Sequence, residues 1–119
     1  MMKLIVAAVF LLLALCAPAR AQSPFAAAGA TVSLAVTATT GRVAVTGVDA
    51  FNPAVRFFNS GTSTVFVVCG DVTVVATTAA GLPVAAGTIE VLGCNKGGYV
   101  AGITASGTAT LYLTAGSGL

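Results

Sequence analysis

The chain has 119 residues, of which 57% are hydrophobic and 7% charged, and it contains neither His nor Trp. Beyond residue 21 the cations Arg42, Arg56 and Lys96 balance the acids Asp49, Asp71 and Glu90, which leaves no electrostatic footprint for a nucleic acid. So little charge beside so much Val excludes a disordered chain, and the lack of His argues against hydrolytic or metal chemistry.

Residues 1–21 read as a secretory signal peptide. Lys3 supplies the positive start, residues 4–16 form the apolar run, Pro18 breaks the helix, and Ala19-Arg20-Ala21 is an A-x-A cleavage site before Gln22. The apolar run is short for a membrane span, which needs about 20 residues. Cleavage therefore leaves no stable membrane anchor. Leu15 before Cys16 makes a poor lipobox. Export places the remainder in an oxidising compartment, secreted or periplasmic. Of the three cysteines, Cys69 and Cys94 then remain, and a disulfide between them is favoured over two separately buried thiols. No C-x-x-C occurs, so neither a zinc knuckle nor a dithiol redox site is indicated.

Residues 22–30 read as an irregular arm, and residues 31–119 as one β domain. Val32, Leu34 and Val36 alternate with Thr and Ser, and after a Thr39-Thr40-Gly41 turn Val43 and Val45 continue the period of two. A loop with Asp49, Asn52 and Pro53 leads to a strand over 55–58. The polar residues 59–63 and an apolar strand over 64–69 then read as a hairpin. Asn59 and Gly61 suit the positive φ that a tight connection demands. A further strand is predicted over 72–77. Pro83 confines Leu82-Pro83-Val84 to an edge. Strands over 88–92, with Glu90 outward, over 99–104 and over 108–114 follow, and residues 115–119 read as a loose tail. The expected fold is all-β: a small antiparallel β-sandwich, jelly-roll-like or Ig-like, of eight or nine short strands.

Chemistry is sparse. There is no His to serve as a base, Lys96 is the only amine side chain beyond residue 21 and stands in no S-x-x-K spacing, and the three acids lie in separate segments. The segment Gly93-Cys94-Asn95-Lys96-Gly97-Gly98 lacks the order of a phosphate loop. No catalytic, cofactor-binding or metal-ligating residue is assigned, and no cofactor is expected. Adjacent Phe57 and Phe58 point to opposite faces of a strand, so one is core and the other outside. Arg56, Phe58, Tyr99 and Tyr112 are the candidate contact residues for a protein partner or for self-association.

The order Val55-Arg56-Phe57-Phe58-Asn59-Ser60-Gly61, apolar residues 64–67, Gly70-Asp71, Leu82-Pro83-Val84-Ala85-Ala86-Gly87-Thr88-Ile89-Glu90-Val91, Val100-Ala101-Gly102-Ile103-Thr104 and residues 106–114 resembles small all-β proteins encoded among the structural genes of tailed bacteriophages and prophages. It covers roughly the last two thirds of the chain and consists of strand and turn patterns. The resemblance implies a virion-associated or capsid-decorating protein without enzymatic activity, and it carries over no binding residues. Residues 1–21 depart from that group, whose members assemble in the cytoplasm. Either the domain is exported, or its start lies downstream and it is virion-associated. The alternative function is a secreted or periplasmic binding module, adhesin-like or envelope-associated, stapled by Cys69 and Cys94.

Overall fold

The computed structural model describes residues 24–94 and 97–118. Residues 1–21, read above as a signal peptide, and Lys96 lie outside the described residues. Nine strands form in chain order: β1 (Ala26–Ala27), β2 (Val32–Val36), β3 (Gly41–Ala44), β4 (Ala54–Asn59), β5 (Val65–Gly70), β6 (Leu82–Val84), β7 (Ile89–Gly93), β8 (Tyr99–Thr104) and β9 (Ala109–Ser117). They make two antiparallel sheets packed as a sandwich. The first runs β9-β4-β7, with β1 and β2 sharing the other edge of β9. The second runs β3-β8-β5-β6.

The pairings show how the chain closes. Strands β2 and β9, β3 and β8, β4 and β7, and β5 and β6 pair as one long antiparallel ribbon. The ribbon rolls up so that β4 meets β9 and β5 meets β8. This is the jelly-roll order, which decides between the two sandwich types the sequence leaves open.

The inner faces follow the Val and Leu alternation. Leu34, Val36, Val55, Phe57, Leu111 and Leu113 from the first sheet pack on Val65, Val67, Val84 and Val100 from the second. Each fully buried large side chain contributes roughly 1.5–3 kcal/mol. In β2 and β9, Ser33, Thr110 and Thr114 take the opposite phase, where the hydroxyl meets water.

Several sequence expectations are corrected. Residues 55–58 and 64–69 form no hairpin, because β4 and β5 lie in different sheets. The connection is an arch held by the buried Asn59 side chain. Asn59 Nδ2 donates to the carbonyls of Ser63 (2.8 Å) and Val84 (2.9 Å), and Oδ1 accepts from the Gly61 amide (3.0 Å). Neither Asn59 nor Gly61 takes a positive φ. Gly61 is needed for space instead: a Cβ there would sit 2.6 Å from Ala109 Cα.

Residues 72–77 form no strand. Asp71 Oδ1 accepts from the Thr73 amide and hydroxyl, and the Val74 amide donates to the Asp71 carbonyl, so the chain turns as it leaves β5. The tail is not loose through Ser117, since Ala115 and Gly116 pair with Val55 and Ala54 of β4. The arm is not wholly irregular, since Ala26 and Ala27 pair with Ser117 and Gly116. Gly116 makes that approach possible, because a Cβ would collide with the Ala26 carbonyl and the Phe25 ring.

Glu90 is exposed, but it is not on the outward phase. The register sets it opposite the buried Phe57 and sets Val91 opposite Arg56. β7 is an edge strand, and a charge on the inward phase of an edge opposes pairing with another strand.

Candidate functional site

The two outer faces differ. From Gly70 at the end of β5, residues 71–81 must reach Leu82 on the edge strand β6. On the way the Ala76 amide donates to Thr40 Oγ1 (2.9 Å), beside the opposite edge strand β3. The segment therefore crosses the outer face of the second sheet as a strap. Ala76 is 1% exposed, and Ala101, on the outward phase of β8, is 0% exposed. Thr73 holds the Asp71 carboxyl below the usual carboxylate range, first through its hydroxyl and then through its amide, and Arg42 adds a favourable charge. That preference favours the turn above the ordinary Asp range, and it is lost as pH falls through the lowered value.

No segment crosses the first sheet in this way among the described residues; the Phe25 ring lies over Gly116, beside Ala54, and the rows from Thr114 onward stay open. Two rows cross its outer face. One is Ser33, Tyr112, Phe58 and Ile89; the other runs from Thr114 through Arg56 to Val91. Thr31 extends the second row through a hydroxyl contact with Thr114 (2.7 Å). The Phe58 and Tyr112 rings stack with centroids 6.3 Å apart and planes 21° apart. Tyr112 is 43% exposed and Ile89 49%, while Phe58, Arg56 and Val91 are half-buried.

Of the four candidate contact residues, the structure gathers Arg56, Phe58 and Tyr112 on this face. Tyr99 lies on the outer face of the second sheet, in register with Ala44 and Gly70. The Phe pair divides as its alternation requires, with Phe57 fully buried and Phe58 outside. Ile89 and Val91 complete the face, and the sequence reading missed them by putting Glu90 on their phase. Only the pairing partners Phe58 and Arg56 reveal which side of β7 faces out.

Cys69 and Cys94 form a disulfide with a Cα–Cα distance of 5.3 Å, joining the end of β5 to the residue after β7. The Cys94 amide also donates to the Pro53 carbonyl (2.6 Å), so the bond ties both sheets at one rim. Phe51 stands 87% exposed on a loop near this rim, where Asp49 Oδ1 accepts from the amides of Phe51 and Asn52. Among the described residues no three His, Cys, Asp or Glu side chains converge as a metal site would require, and no helix is long and apolar enough to cross a membrane.

Fold and site define a small disulfide-linked jelly-roll sandwich with one strapped outer face and one uncovered aromatic face. Comparisons with protein-family models, curated proteins and solved structures returned no match.

Proposed function

We propose that this protein is a non-enzymatic interaction module that works by protein–protein packing on a virion or cell-surface assembly. The observation that carries this reading is the uncovered face of the first sheet, where a stacked Phe/Tyr pair, an Arg and two aliphatic side chains lie in two adjacent rows. Tyr, Phe and Arg are the residue types enriched at interface centres. The acids serve other ends: Asp49 and Asp71 accept backbone hydrogen bonds in their own turns, and Glu90 guards an edge. The phage-structural setting draws on the strand-and-turn resemblance. The Cys69–Cys94 disulfide favours the second setting, a secreted or periplasmic binding module, since such bonds persist in oxidising compartments.

Cell fractionation tests both points. The double variant Phe58→Ala, Tyr112→Ala loses a solvent-facing stack worth about 0.5–1.5 kcal/mol, so the fold survives. Wild type is expected in a particle or envelope fraction and the variant in the free fraction. Equal distribution of the two proteins overturns the docking reading. Intact mass of the same material separates the settings. A chain starting at Gln22 that gains the mass of two hydrogen atoms on reduction belongs to the exported one. A chain with free thiols in purified particles belongs to the virion.

A further inference from the structure

The docking face has a charge signature of its own. Arg56 is the one charged side chain in its two rows among the described residues. The acids nearest in sequence are engaged elsewhere: Asp49 closes the turn before β4, and Glu90 sits on the opposite phase of β7. A second copy docking through the same face would bring Arg56 toward Arg56 with no carboxylate between them, and uncompensated like charges at an interface are costly. A sugar would need amide or carboxylate side chains beside the aromatic pair to meet its hydroxyls. Apart from Arg56, which donates only, these rows offer hydroxyls alone, and those of Thr31 and Thr114 already bond each other.

Resting on the docking reading above, we infer that the occupant of this face is a different protein that presents one carboxylate flanked by apolar side chains. The carboxylate meets the Arg56 guanidinium, for which a bidentate pair is available. The apolar flanks cover Phe58, Tyr112 and Ile89. Strands about 4.8 Å apart and about five residues of about 3.3 Å along each give a patch of roughly 300 Å². That is well below the roughly 800 Å² per partner of a stable interface. A single contact is therefore weak, and retention comes from many copies on a repeating surface.

The test pans a library of random linear peptides on the wild-type domain and, in parallel, on Arg56→Glu. Selected peptides are then titrated while the amide NMR signals of Phe58, Ile89 and Tyr112 are followed. The expected result is wild-type binders with one Asp or Glu among apolar residues, weakened about tenfold or more by Arg56→Gln. Arg56→Glu is expected to select Lys or Arg in place of the acid. Binders that shift these amides but carry no acid, and that Arg56→Gln leaves unchanged, overturn the inference and leave the docking reading standing. Sedimentation showing wild-type dimers that Tyr112→Ala dissolves would assign the face to a second copy and also overturn it. An absence of binders, or binders that map elsewhere, overturns both.

Discussion

Asn59→Asp is expected to cost about 4 kcal/mol at pH 7, a large share of the roughly 5–15 kcal/mol that stabilises a domain of this size. The substitution barely changes volume, so it isolates the hydrogen bonding of the arch. Asn59 is 0% exposed. Its Nδ2 is the donor for both the Ser63 and the Val84 carbonyls. The introduced carboxylate keeps the Gly61 amide on one oxygen, but its other oxygen has no donor and faces two carbonyl acceptors in a site that excludes water. Burial and those carbonyls both raise its folded-state pKa above the unfolded value. The variant's deficit is therefore smallest below about pH 4, where the introduced group is protonated in both states, and it grows as pH rises toward the folded value. Urea unfolding at pH 4 and pH 7 reads this directly. Equal losses at both pH values would mean that the arch does not depend on those two donor bonds.

Removing the disulfide with the double variant Cys69→Ala, Cys94→Ala is expected to cost about 3.5 kcal/mol, the loop-closure value for a bond of this span. The separation of 25 residues encloses the strap, β6 and β7. Without the bond, the unfolded chain gains most of its extra freedom in that segment. The folded chain loses the covalent tie between the end of β5 and the end of β7. For a domain near 100 residues this corresponds to a melting temperature lower by roughly 15 °C. Replacing both cysteines avoids leaving a free thiol, and reductant added to wild type should reproduce the loss. A melting temperature within about 2 °C of wild type would rule out a stabilising bond.

The sheet faces were legible in the sequence, but the connections were not. Alternation placed Leu34, Val36, Leu111 and Leu113 in the core, because a period of two has only one way to bury Val and Leu while leaving Thr wet. The cysteine pairing was legible too, since one pair remained once residues 1–21 were set aside. Asn59-Ser60-Gly61 looked like a hairpin because a turn and an arch use the same residue types. What separates them is the Asn59 contact with Val84, 25 positions away. Val72, Val74 and Val75 read as a strand by propensity, but the local Asp71 hydrogen bonds turned the chain away from pairing. The uncovered face was half legible. Arg56, Phe58 and Tyr112 were chosen by residue type, while Ile89 and Val91 depended on the register of β7 against β4.

On the proposed function, this jelly roll meets its partner through the outer face of the first sheet and not through the strapped one. Site-specific photo-crosslinking in the organism that encodes the protein tests it most directly. A photoreactive residue would replace Tyr112 or Ile89 on the first sheet, with Ala44, exposed on β3 of the second, as the control position. A discrete crosslinked adduct is expected from positions 112 and 89, weakened by Arg56→Glu, and none from position 44. Adducts from position 44 alone, or equally from all three, would contradict it.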